Sequence, residues 1–306
     1  MEHLGLGWVL LAGTLAGTLA ASSTREQDPG PIREVAMDMA HNSFDDQYQG
    51  CRNKMKVALK KVHHAEFKNH IFADTWSEAK EKWKNSNRPQ GLSRDYAVAV
   101  LAYTADTDLY SLFNTAVRDG GRSRDYYLQS FPFKTLHFFL TVALQTLRKA
   151  QGHKCYNVYR GVRGIQFTAS QHHTVRFGQF ASASLNESIA QEFGQDTFFI
   201  VYTCHGVSIK HFSFFAKEDE VLIPPYEVFN VTKFTQDRNG NVIHLRSRGA
   251  RSTYKCALVK GKGSQQGGCP REMAGDRAQP WAGAAVLPAL LQPWLQRNGG
   301  PVPPAL

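Results

Sequence analysis

Helical periodicity dominates the first half of this chain and stops near Cys155, and that change of texture restricts the fold to an α+β arrangement. Over residues 45–84, Met55, Leu59, Val62, Phe67, Ile71, Trp76 and Trp83 recur at roughly helical intervals among lysines and glutamates, as expected for helices with one apolar face. The Asn/Ser/Pro/Gly run at 85–91 breaks the pattern. Residues 109–117 and 136–148 are helical again, the second through Phe138, Leu140, Leu144 and Leu147. Residues 96–104 fit a buried strand or a short helix. Beyond Cys155 the apolar segments are short and β-branched or aromatic: 158–161, 178–184, 197–204, 209–215, 220–223, 227–234 and 241–245. They predict a compact sheet region. No internal repeat is evident.

The chain's two ends differ from this middle. Residues 5–20 are apolar or small and precede Ser22-Ser23-Thr24-Arg25-Glu26, which suits a cleaved signal peptide over 1–21 and is short for a retained anchor. A loose arm is expected over 22–40 and a flexible tail over 259–306, where Pro288 and Pro293 interrupt the apolar stretch that a lipid-anchor signal would need. Secretion is the expectation, with a GPI-anchored cell-surface form as the alternative and no integral membrane segment in the mature chain. Cys51, Cys155, Cys204, Cys256 and Cys269 are widely spaced with no Cys-x-x-Cys pair, so a zinc or redox centre is not indicated. In an oxidising compartment four of them can form two disulfides. Spacing alone leaves the pairing open, and Cys269 is the candidate odd thiol. Asn186-Glu187-Ser188 and Asn230-Val231-Thr232 are glycosylation sequons.

The net charge of +10 could attract anionic partners, but the basic residues are scattered. No RNA-recognition signature, zinc-finger spacing or arginine-rich tail accompanies them, so no nucleic-acid partner is expected.

Chemistry concentrates in three segments of the β-rich half. Glu218-Asp219-Glu220 lies between an aromatic run and Val221-Leu222-Ile223. If a strand starts near Glu220, alternation puts Glu218 and Glu220 on one side and Asp219 on the other. Such a run is either a solvated turn or a functional pair of carboxylates beside a buried sheet. Tyr159-Arg160-Gly161 offers a planar guanidinium suited to phosphate, followed by a glycine that permits close backbone approach by a ligand. In Phe180-Ala181-Ser182-Ala183-Ser184 both serines face one way on a strand. No Gly-x-Ser-x-Gly elbow surrounds them, which excludes a serine-hydrolase reading.

In this order the three segments resemble the Arg, Ser-x-Ser, Glu-x-Glu signature of the arginine-specific mono-ADP-ribosyltransferases, in particular the vertebrate secreted or surface-anchored branch. Phe44-Asp45-Asp46-Gln47-Tyr48, Ala116-Val117-Arg118-Asp119-Gly120-Gly121, Phe131-Pro132-Phe133-Lys134 and Val221-Leu222-Ile223-Pro224-Pro225 are similar to that branch too. The resemblance covers about 40–258, so a catalytic domain is expected over 41–258. It implies a helical N-terminal part packed on a split mixed β-sandwich, with NAD or NADP as co-substrate and no permanently bound cofactor or metal. It further implies Arg160 on the NAD phosphates and supporting its ribose region, Gly161 holding the nicotinamide amide, Ser182 bracing Glu220, and further NAD contacts from Tyr103, Gln179 and Ser213. The family's disulfides correspond to Cys51 with Cys256 and Cys155 with Cys204.

The chemistry agrees independently. Cleaving the nicotinamide–ribose bond develops oxocarbenium character that a carboxylate stabilises, a task for Glu220. A guanidinium, with a pKa of about 12.5 or above, is a poor nucleophile and needs a second carboxylate to orient it and take its proton. Glu218 is placed for that. The expected reaction is ADP-ribose transfer to arginine in acceptor proteins or small guanidino compounds; the alternative is an NAD glycohydrolase with minor transfer.

Overall fold

In the computed structural model, which describes residues 32–87, 89–237 and 239–259, the lysine-rich amphipathic stretch folds as two helices, α1 (Arg52–Glu66) and α2 (His70–Lys84). They part at residues 67–69, where Asn69 Oδ1 accepts the Phe72 amide at 3.1 Å and caps α2. Four more helices follow: α3 (Arg94–Thr104), α4 (Leu109–Asp119), α5 (Arg124–Ser130) and α6 (Lys134–Ala150). The segment left open between strand and helix is α3. It is buried without a break from Ala97 to Thr104, so it has no polar face to reveal its period. Among the described residues no helix is long and apolar enough to cross a membrane. The expected signal peptide, the tail, Cys269 and most of the arm lie outside the described residues.

The second half supplies β2 (Tyr156–Val162), β3 (Ile165–Thr168), β4 (Thr174–Val175), β5 (Ala181–Ser184), α7 (Glu187–Glu192), β6 (Thr197–Thr203), β7 (Val207–Ser208), β8 (Glu220–Ile223), β9 (Glu227–Asp237) and β10 (Gly240–Ala250). Eight strands form one sheet in the order β4-β9-β10-β6-β2-β5-β8-β7. It is mixed, since β10 runs parallel to β6 while its other pairings are antiparallel. Phe229 and Val231 from β9 and Val221 and Ile223 from β8 fill the same apolar cluster. Strands near both ends of the sheet therefore close over one core, which is the expected sandwich. On the other side Phe180 and Leu222 join the helical core with Tyr103, Phe113 and Phe138.

The split is visible in the register. β2 pairs with β6 from Tyr156↔Thr203 to Val162↔Thr197, and β5 with β8 from Ala181↔Ile223 to Ser184↔Glu220. Between them β2 and β5 meet only at Tyr159↔Ser184. Arg160 and Ser182 flank that point.

Two expectations change. Within the arm, Arg33–Ala36 forms a strand, β1, paired in parallel with β3. Its side chains are mostly exposed, so backbone hydrogen bonds hold it and no apolar pattern marks it. The aromatic segment 209–215 is not a strand. It forms a 3₁₀ turn at Lys210–Phe212, and a second turn follows at Ala216–Glu218. Phe212 drops into the helical core and stacks on Trp83 with centroids 6.4 Å apart. Its aromatic character reports burial rather than strand geometry.

The segment 44–51 fastens the two ends of the domain. Asp45 pairs with Arg176 Nη1 at 2.6 Å and accepts the amides of Thr253 and Tyr254 at 2.8 and 3.0 Å. Asp46 accepts the Ala257 amide at 2.8 Å. Disulfides join Cys51 to Cys256 and Cys155 to Cys204.

Candidate active site at the split in the sheet

Opposed residues of an antiparallel ladder project to one face, so the pairings Ser184↔Glu220 and Ser182↔Leu222 place both serines and Glu220 together. Glu218 and Glu220 are 2% and 3% exposed. Asp219 between them turns outward to Lys210, Nζ to Oδ1 at 2.5 Å. The outer acids thus face inward and the middle one outward, as alternation predicted, but by a different device. Glu218 belongs to a 3₁₀ turn, and Asp219 takes the left-handed conformation (φ 47°, ψ 47°) that starts β8 at Glu220.

Hydrogen bonds hold this corner in place. Ser213 Oγ donates to Glu220 Oε2 at 3.1 Å, and the Ser182 hydroxyl bonds the same carboxylate. Burial raises the Glu220 pKa, while the two serines and the Arg160 guanidinium pull it back. Ser184 Oγ donates to the Glu218 carbonyl at 2.6 Å and accepts the Asn186 amide at 3.0 Å. The Leu185 amide holds the Asp219 carbonyl at 3.2 Å and the Ile209 amide holds that of Glu220 at 2.9 Å.

Arg160 is half-buried and donates from Nη1 to the Ser182 carbonyl at 2.6 Å, bridging the two halves of the sheet. Gly161 has a packing role beyond the ligand approach expected of it. A Cβ there would lie 2.2 Å from the Ala190 carbonyl oxygen and 2.3 Å from that of Gly194, so only glycine lets the end of α7 pack against β2.

Three further expected residues are engaged with the protein itself. The Tyr103 hydroxyl, in a residue 1% exposed, donates to the Phe180 carbonyl and accepts Asn114 Nδ2, each at 3.1 Å. Gln179 Oε1 accepts from Arg118 Nη1. Ser213, besides Glu220, accepts the Phe215 amide at 3.1 Å.

Several supports had no signal in the sequence. Thr104 Oγ1 accepts the Phe214 amide at 3.1 Å across 110 residues of chain, and Lys82 Nζ sits 5.1 Å from the Phe214 ring centroid. Lys210, Asn114 and Arg118 join them. Each acts through a contact that folding creates, in a segment whose local pattern is ordinary. Arg118 alone stood in a motif, Ala116–Gly121, that the resemblance had singled out.

Comparison with known proteins places this geometry. Residues 37–253 match the family described as ART, NAD:arginine ADP-ribosyltransferase. NAD(P)(+)--arginine ADP-ribosyltransferase 1 of Gallus gallus is 49% identical over 315 residues, covering 100% of both chains. The GPI-linked NAD(P)(+)--arginine ADP-ribosyltransferase 1 of Homo sapiens is 44% identical, covering 86% of this chain and 85% of its own. The crystal structure of a eukaryotic mono-ADP-ribosyltransferase, ART2.2, superposes with a TM-score of 0.63 at 39% identity, over 72% of this chain and 98% of that one. With the family matched across its catalytic region and relatives near half-identical, the chain belongs to the NAD:arginine ADP-ribosyltransferases.

Proposed function

We propose that this chain transfers ADP-ribose from NAD to the guanidinium of arginine in acceptor proteins, releasing nicotinamide, with Glu220 acting on NAD and Glu218 on the acceptor. The observation that carries this division is the pair of buried carboxylates two residues apart, separated by an outward-turned Asp219, at the point where the sheet splits.

The glycosidic bond breaks with its electron pair going to nicotinamide, and the ribose gains positive character. A buried carboxylate is effective against such charge because little water screens it. Ser182 and Ser213 orient the Glu220 carboxylate, and their hydrogen bonds favour the ionised form that the step requires. An arginine nitrogen then attacks the ribose carbon, and Glu218 takes the proton released. Arg160 spends one donor on the Ser182 carbonyl, and a guanidinium has five. The rest suit the pyrophosphate of NAD, or the added phosphate of NADP. Tyr103, Gln179 and Ser213 are assigned further NAD contacts, and their hydrogen bonds within the protein hold them in place beside β5 and Glu220. The two disulfides fit an extracellular, oxidising setting.

The test uses labelled NAD with agmatine as acceptor. Glu218→Gln should abolish transfer and retain NAD hydrolysis, while Glu220→Gln should lose both. Full transfer by the Glu218 variant would remove its assigned role. A wild-type product mixture dominated by free ADP-ribose at saturating agmatine would favour an NAD glycohydrolase.

A further inference from the structure

A cavity of about 620 Å³ opens in the helical half, walled by α1, α2, α3 and α6 and sharing no lining residue with the Glu220 site. Its volume is in the range of small-ligand sites. Four fixed cations line it, Lys56 and Lys60 from α1, Lys80 from α2 and Arg94 from α3, against the single carboxylate of Asp95. Among the described residues none of the four cations is in an ion pair.

That arrangement costs stability on its own. Lys56 and Lys60 stand four residues apart on one helix face, where like charges repel. His63 on the wall has its pKa lowered by burial first and then by Lys80, with Asp95 opposing the shift and His64 adding to it. A wall that gathers four cations against one carboxylate is complementary to an anion.

The cavity also has an aromatic side. Tyr96 and Phe139 meet edge to face with centroids 5.8 Å apart, both half-buried, and Lys56 Nζ lies 5.4 Å from the Tyr96 centroid. Ring edges and a flanking ammonium suit a flat or ring-shaped body that carries the anionic groups. We propose that this cavity is a second ligand site, for a small anion bearing two or more phosphate or sulfate groups on a ring body. Nucleotides and sulfated saccharides share that chemistry, and binding discriminates between them.

The experiment is calorimetric titration of the full chain at physiological salt with three probes: ATP, a sulfated heparin disaccharide and inorganic triphosphate. The expected result is saturable one-to-one binding of ATP or of the disaccharide, tighter than triphosphate, the tighter of the two naming the source. Lys60→Glu/Arg94→Glu should weaken it by about tenfold or more, with the KM for NAD and the rate of transfer to agmatine unchanged and the melting temperature without ligand equal to or above wild type, since the repulsion between the cations is relieved. Both positions are exposed, and Lys56→Gln/Lys80→Gln provides a milder second variant. Three outcomes overturn the proposal: no saturable binding, binding untouched by both double variants, or triphosphate binding as tightly as the ring-bearing probes.

Discussion

Lys210 Nζ lies 2.5 Å from Asp219 Oδ1, and this ion pair fastens the one left-handed residue between two buried glutamates. Left-handed backbone costs most residues about 1–2 kcal/mol, while Gly and Asp accept it more readily. Asp219→Gly should therefore keep the corner and lose only a half-exposed pair worth about 0–1 kcal/mol, leaving transfer to agmatine within about fivefold of wild type. Asp219→Val, β-branched and unsuited to positive φ, should lower transfer by at least about tenfold. Steady-state rates of the two variants, measured together, separate backbone conformation from charge.

In the proposed mechanism Glu220 acts in its ionised form, and its environment pulls both ways. Burial raises its pKa, and Ser182 and Ser213 lower it. Removing either hydroxyl moves the pKa upward, so Ser182→Ala and Ser213→Ala should shift the acid limb of the kcat/KM profile to higher pH. The same raised pKa has a stability consequence. The folded state holds the proton more tightly than the unfolded one, so ionised Glu220 destabilises the fold above its unfolded pKa. Glu220→Gln should melt above wild type at neutral pH, the gap starting to close as the pH falls to the raised folded pKa and vanishing below the ordinary carboxylate value.

The two disulfides constrain the unfolded chain unequally. Cys51–Cys256 spans 205 residues and Cys155–Cys204 spans 49. Loop-closure entropy assigns them about 5 and about 4 kcal/mol, values near the top of what native bridges deliver. Guanidinium unfolding of the paired serine variants should show the larger loss for Cys51→Ser/Cys256→Ser.

Asp45 and Arg176 form an ion pair with both side chains within 2% of full burial. Removing one member strands the other charge away from water, at about 3–5 kcal/mol. Asp45→Ala also releases the Thr253 and Tyr254 amides. Its denaturation midpoint should fall accordingly, whereas breaking the exposed Arg122–Asp119 pair with Arg122→Ala should change little.

The sequence made much of this molecule legible, unevenly and for physical reasons. Helices with one wet face declared their period, and α3 did not because it has no wet face. The outer acids were placed inward by assuming a strand, and the placement survives although a turn and a left-handed residue produce it. Arg160, Ser182, Glu218 and Glu220 were singled out through their order along the chain, and the register of β2, β5 and β8 brings them to one corner. Thr104, Asn114 and Lys210 were missed because a side chain that steadies a distant backbone group has no neighbour in sequence to betray it. Phe212 misled in the opposite way, since an aromatic bound for a core resembles an aromatic bound for a strand.

The Cys51–Cys256 bridge has a mechanical consequence. It closes the chain from Cys51 to Cys256, a sequence separation of 205, into a covalent ring whose closing Cα atoms stand 6.1 Å apart. Once residues 37–50 are pulled free of their contacts, tension applied on either side of the ring crosses at the sulfurs, and the helices, the split sheet and both glutamates lie inside it. β1 lies outside the ring and peels from β3 first. An enzyme pulled by its ends would lose these outer contacts first, and the chain between the two cysteines could not be drawn out lengthwise until a sulfur–sulfur bond gave way.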